Sequence, residues 1–380
     1  MTLKGSKTWV EISRAAVEQN IAALRLFLNP GVEFCATVKA NAYGHGQKEM
    51  TSILLDCGVT HFAVDSIDEA IVLRDQAPCA AIFILGYTVM ERLVDVARIH
   101  AIQTVYDEVS IIELSKYGTL ENPVMVSIKV ETGLYRQGIG PRGLLNLLDA
   151  VMMAGGRIAL VSVASHFASS EEPEDAMNAY QLQNFTRAIE TIKAAGFDPK
   201  YKHIACSAAT MTNSLAQGTM ARYGIVMYGL WASKSHKRHV VLGRQNIELI
   251  PVLQWKTRIA QIKDVPSGSA IGYGGTHITN RPIRLAILPV GYADGLDRSL
   301  SNRGEVLIHG RRCPILGNVC MNICMVDVST VPAVAVNDEV LLIGRDGMHA
   351  TTADDMAATI GTIHYEVVTR ISSLLPRVIC

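Results

Sequence analysis

Neither sign of charge prevails in this chain: 35 Lys+Arg face 35 Asp+Glu, a formal net charge of +0 over 380 residues. Nucleic-acid binders carry a basic bias, so that class is set aside. Long apolar runs are also missing. Stretches such as "IALVSVASHFA" are too short and too polar to cross a bilayer. The opening "MTLKGSKTWVEISR" has no apolar core of a secretory signal. There is no CxxC; Cys320 and Cys324 form only a CxxxC, so reduced, buried thiols are expected rather than disulfides or a metal site. Low-complexity segments and blocks of like charge are absent too. Together these lead to the expectation of a soluble, cytoplasmic protein with no metal, membrane or nucleic-acid partner.

What is present is apolar material, 49% of the residues, enough for a substantial core in a chain too long for one ordinary domain. From about residue 33 to 230 a short apolar strand is followed by a helix-like stretch, over and over. The strands read as "EFCATVK", "HFAVDS", "AAIFILG", "AIQTVYD", "VMVSIKVE", "ALVSVASHF", "KHIACS" and "ARYGIVMYG". In "NAYQLQNFTRAIETIKAAG", Tyr180, Phe185, Ile189 and Ile192 recur near helical spacing and predict a core-facing stripe. Eight such units fit an α/β fold, a (β/α)8 TIM barrel over 1–238, with a doubly wound open sheet as the alternative. After about residue 240 strands follow one another without helices, which predicts a mostly-β C-terminal domain over 239–380. One late helix is expected in "TTADDMAATIGTIHYEVVTRISSLL", starting at Thr351 or Thr352.

Barrel chemistry collects where strands end. Lys39 ends the first strand in "FCATVKANAYGHG", Arg136 follows the fifth, His166 closes the sixth, Ser207 follows the seventh, and Arg222 and Gly224 lie in the eighth. Taken singly, each has an ordinary explanation: a snorkelling lysine, surface arginines, a satisfied core histidine, a helix-capping serine. Gathered on one rim they supply an amine for an imine link, small residues that leave N–H groups open to a phosphate, and an arginine for a ring nitrogen. These are the parts a pyridoxal phosphate site requires.

At this point the chain resembles the alanine racemases. "ATVKANAYGHG" is similar to the family's cofactor-lysine signature, and "KVETGLYRQG", "SHFASS", "SAAT", "RYGIVMYG", "IGYGGT", "PVGYADG", "GNVCMNICMVDV" and "HYEVVTR" follow in the family's order. The resemblance covers nearly the whole chain. It implies pyridoxal 5'-phosphate, an L-/D-alanine substrate, D-alanine for peptidoglycan, and a homodimer with shared active sites. Lys39 would hold the cofactor and serve as one base; Tyr273 of the partner subunit would be the other. Tyr43, Ser207, Gly224, Ile225 and Tyr365 would surround the phosphate. Arg222 would face the pyridine nitrogen, His166 the ring, and Arg136 the phenolate oxygen. Met321 with Arg136 would meet the substrate, and Lys129 matches a position often carbamylated.

Chemistry agrees with two bases, since racemisation takes a proton from one face and returns one to the other. Positive charge from His166 and Arg136 is expected to favour the Tyr273 phenolate. Arg222, with no lone pair to offer, would leave the ring nitrogen unprotonated and suppress transamination. Glu131, Cys206, Asn318 and Asn322 depart from the family pattern. The last pair borders the channel that Tyr292, Arg298 and Ile363 would line, and leaves serine or a broader amino-acid range as an alternative substrate. A barrel decarboxylase or a non-catalytic pyridoxal phosphate binder are rivals from other classes.

Overall fold

The computed structural model describes residues 5–243 and 247–380. Its chain divides into two compact units. One comprises Ala15–Ala42 and the described part of Met50–Pro251; the other comprises the described residues up to Arg14, Tyr43–Glu49 and Val252–Cys380.

The first unit is the expected α/β barrel. Its parallel strands are Glu33–Thr37, His61–Val64, Ala81–Ile84, Ile102–Val105, Val124–Lys129, Ile158–Ala164, Tyr201–His203 and Met220–Tyr223, each beside its neighbour in sequence, with the eighth beside the first. Backbone bonds from Thr219 N–H to Lys202 O (2.9 Å) and Arg222 N–H to Ala205 O (3.1 Å) tie the seventh strand to the eighth, closing the ring. Strands covered on both faces read as apolar runs, which made the first six legible; the last two stop earlier than the sequence suggests, since residues 204–206 lie outside any strand and Ile225–Tyr228 is a turn. Cys35, Ala63, Phe83, Ile102, Tyr201 and Met220, one from each of six strands, pack together inside, and Met125 and Val161 from the other two join them. That layer makes the interior a filled core, not a pore.

Helices cover the outside, and their starts follow local chemistry. Ser66 and Asp175 accept N–H bonds at the heads of Ile67–Gln76 and Ala176–Ala194, and Pro141 opens Pro141–Met153. Within Ala176–Ala194 the stripe differs from expectation. Phe185 and Ile192 are buried but Tyr180 is 54% exposed, and the inward position belongs to Gln181. A polar network, described below, claims that position.

In the second unit Thr8–Ile12 pairs antiparallel with Leu253–Arg258 (Thr8 opposite Thr257) and parallel with Arg377–Ile379 (Val10 opposite Arg377). Trp9 and Trp255 are buried there. Gln261–Val265, Ile283–Leu288 and Cys324–Asp327 form a separate sheet, and Ala270–Ile271 and His277–Ile278 a short hairpin. The late helix is two helices, Ala353–Ile360 and His364–Thr369, because Gly361 takes a left-handed conformation (φ 81°) that ends the first. Thr352 caps it, with Asp355 bonding back. Among the described residues no helix is long and apolar enough to cross a membrane.

Candidate active site

Lys39 follows the first barrel strand, and the backbone after it runs left-handed: Ala40, Asn41, Ala42 and Tyr43 all have φ of 52–54°, then Gly44 has 80°. For residues with a Cβ this costs about 1–2 kcal/mol each against the right-handed form. Four in succession mark a segment that its surroundings hold in place. One holding bond runs from Ala42 N–H to Val38 O at 2.9 Å. The Lys39 amine is ion-paired with Asp65 at 3.2 Å.

Above the apolar layer the barrel interior turns polar, centred on Arg222. Arg222 is 5% exposed. Its guanidinium donates to the carbonyls of Ser165 (2.8 Å), His203 (3.1 Å) and Ile204 (3.2 Å), to His166 Nδ1 at 3.1 Å, and to His203 Nδ1. A guanidinium only donates, so both imidazoles must present a lone pair to it. Both are therefore neutral. Burial first, and Arg222 second, hold His166 and His203 well below the ordinary histidine range. His203 Nε2 then carries the hydrogen and donates to Ser162 Oγ at 2.9 Å, which also accepts from Ser127 Oγ at 2.9 Å. The expectation that His166 supplies positive charge is thereby corrected: beside Arg222 it cannot take a second proton cheaply.

Lys129 ends the fifth strand. Burial, then Arg222 and Arg136, push its amine well below the usual lysine range, against a smaller opposing pull from Glu131. A neutral amine is a nucleophile, the form that can react with carbon dioxide. Glu131 accepts N–H bonds from Gly133 (2.5 Å) and Leu134 (2.8 Å), folding back the exposed loop that carries Arg136. Gln181 braces the same region, donating to Thr132 Oγ1 (3.2 Å) and His166 O (3.0 Å) and accepting from Ala168 N–H (2.7 Å). Across the rim, Ser207 opens a short helix and its hydroxyl accepts the Gly224 N–H at 2.8 Å, one residue before Ile225 begins another turn. Ser207 is thus not its own helix's cap. Cys206 stands there, with Ser170 Oγ 2.9 Å from its sulfur.

The remaining candidates belong to the second unit. The rings of Tyr43 and Tyr365 lie 6.3 Å apart. Gly44 next to them is irreplaceable. A Cβ there would come within 1.8 Å of Val368 O, and its carbonyl accepts from Arg377 Nη2 at 2.8 Å. Tyr273 is 77% exposed on a turn whose neighbours Gly272, Gly274 and Gly275 all have positive φ. Asn318 Nδ2 donates to the Tyr273 carbonyl at 2.8 Å. Met321 is 57% exposed, and its carbonyl takes the Ala293 N–H at 2.9 Å.

Sequence reasoning missed Asp65, Glu69, Gln181 and His203. Asp65 lay within the quoted "HFAVDS" and His203 within "KHIACS"; a polar residue inside an apolar strand was the available signal.

Two family models match the chain: the alanine racemase N-terminal domain over residues 12–231 and the C-terminal domain over 252–379. It is 38% identical to an alanine racemase of Desulfosudis oleivorans, covering 98% of this chain and 96% of that protein. With one of Leptospira interrogans it shares 37% identity, covering 98% and 95%. The crystal structure of the Bacillus anthracis alanine racemase, solved with bound L-Ala-P, superposes with a TM-score of 0.91 at 33% identity, over 98% of this chain and 95% of that one.

Proposed function

The chain belongs to the alanine racemase family and is an isomerase by that membership, and on this premise we propose that it interconverts L- and D-alanine with two bases, Lys39 and Tyr273 of the partner subunit. The observation that carries the reading is the barrel rim, where Lys39, Lys129, Arg136, His166 and Arg222 share one electrostatic neighbourhood.

This donor set fits pyridoxal 5'-phosphate. An amine stands on the rim, a buried cation offers no acceptor to a ring nitrogen, and Ser207 and Gly224 bring two turn starts together for a phosphate. When bound, the cofactor supplies an electron-withdrawing ring that stabilises negative charge at the substrate α-carbon. On the family pattern Lys39 Nζ would tether it, and Ser207, Gly224 and Ile225 would hold the phosphate, the roles the pattern also gives Tyr43 and Tyr365. Arg222 would serve the ring nitrogen as a permanent cation that gives it no proton. His166, kept neutral, would add no charge to the ring. Arg136 would bond the phenolate oxygen and the substrate carboxylate, which the Met321 backbone would also meet; Lys129 in carbamylated form would support Arg136. Lys39 Nζ and Tyr273 Oη take and return the α-proton on opposite faces. Family membership supports a cytoplasmic homodimer that supplies D-alanine for peptidoglycan.

Chiral product analysis tests the assignment. Lys39→Ala and Tyr273→Phe should each lose at least about a hundredfold in racemisation, the low end for acid–base catalysis. Parent-like rates in both variants overturn it, and serine turnover above alanine turnover overturns the substrate.

A further inference from the structure

Glu69 sits in the first turn of the helix Ile67–Gln76 that follows the second barrel strand. Ser66-x-x-Glu69 reads as a capping box, and Ser66 Oγ does accept the Glu69 N–H at 3.2 Å. In such a box the glutamate would bond back to Ser66's own N–H. Here the carboxylate goes elsewhere. Oε2 accepts the Asp65 N–H at 2.8 Å, and Oε1 accepts the Ala40 N–H at 2.6 Å.

Both recipients bear on Lys39. Ala40 is the first residue of the left-handed turn, and Asp65 is the carboxylate paired with the Lys39 amine. Asp65 is also pinned from behind. Its carbonyl takes the Gly86 N–H at 2.9 Å, and a Cβ on Gly86 would approach that oxygen to 2.4 Å. We propose that Glu69 is a positioning residue for Lys39, its two oxygens clamping the N–H that opens the left-handed turn and the N–H of the lysine's ion-pair partner, so that lysine and counter-ion are set by one side chain. This rests on the reading of Lys39 as the reacting lysine.

The arrangement needs two acceptor oxygens. Glutamine offers one oxygen and an NH2 group, so in Glu69→Gln one clamped N–H faces another donor. The shape is kept and one arm is lost.

The test uses the full-length chain freed of cofactor. Pyridoxal 5'-phosphate is added, the imine is reduced with borohydride at timed intervals, and the labelled lysine is located by peptide mass. Glu69→Gln should keep the parent's melting temperature and slow labelling of Lys39 by about tenfold or more, since small misplacements of a reacting group carry penalties of that size. Reloaded with cofactor, it should lose kcat by a similar factor with KM for alanine unchanged. Ser66→Ala, which removes only the helix cap, should lower the melting temperature and leave the labelling rate alone. Parent-like labelling in both Glu69→Gln and Glu69→Ala overturns the proposal while leaving the Lys39 assignment intact. Equal slowing in Ser66→Ala and Glu69→Gln reduces Glu69 to a capping residue and also overturns it. Labelling of the parent away from Lys39 removes the catalytic reading and this proposal with it.

Discussion

Lys39 and Tyr273 stand in opposite surroundings. Around Lys39 the barrel rim is crowded: a strained turn, an ion pair, and behind them a buried guanidinium whose donors are met by carbonyls and neutral histidines. Tyr273 stands in the open on a turn of glycines, with a single side chain, Asn318, bonded to its backbone carbonyl. The comparison teaches that Lys39 is organised by its own unit's interior, at a cost in stability, whereas Tyr273 is presented to solvent by its turn.

The sharpest way to break this contrast is to remove the buried cation. Arg222→Met strands three carbonyls and two imidazoles, and should cost about 3 kcal/mol or more in thermal or urea unfolding. Imidazole NMR should also show His166 and His203 moving up toward the ordinary range. Parent-like stability would mean the rim is not organised by Arg222.

Acid separates the units next. The histidines whose burial lowers their affinity for protons, His61, His166, His203 and His236, all belong to the barrel unit. His236 is fully buried and pushed from 6.5 down to about 4. Between those values the unfolded chain binds a proton that the folded chain refuses. Its stabilisation is therefore complete above 6.5 and is lost as pH falls through about 4, about 3 kcal/mol in all. Hydrogen exchange from pH 7 downward should show barrel amides losing protection before those of the second unit, and His236→Leu should flatten that dependence.

The smallest effect is expected on the open side. Asn318→Ala removes one hydrogen bond, worth about 1 kcal/mol, so kcat should fall severalfold and the melting temperature by no more than about 4 °C. A larger loss would show that Asn318 does more than steady the turn.

Much of this is legible in the sequence. Six of the eight parallel strands announce themselves as apolar runs, and the rim candidates fall at or after strand ends; the seventh, Tyr201–His203, is polar, and the apolar Ile225–Tyr228 is a turn. Other parts were hidden for physical reasons. Thr8–Ile12 is a strand because of partners near residues 253 and 377, which no local pattern reveals. Gly361 splits a helix whose apolar periodicity runs straight through it. Glu69 looks like a cap by spacing, and only the path of the chain near Ala40 shows where its oxygens go. Gln181 took an inward position that periodicity gave to Tyr180, because the Thr132 and His166 network needed an amide there.

The pairing of Val10 with Arg377, and the grip of Arg377 on the Gly44 carbonyl, bear on how the molecule is born. The strand Thr8–Ile12 is synthesised more than about three hundred residues before Arg377–Ile379, the segment that completes its edge. Until that segment emerges, the edge and the Gly44 carbonyl wait bare. A change at Arg377 therefore reaches the turn that follows Lys39.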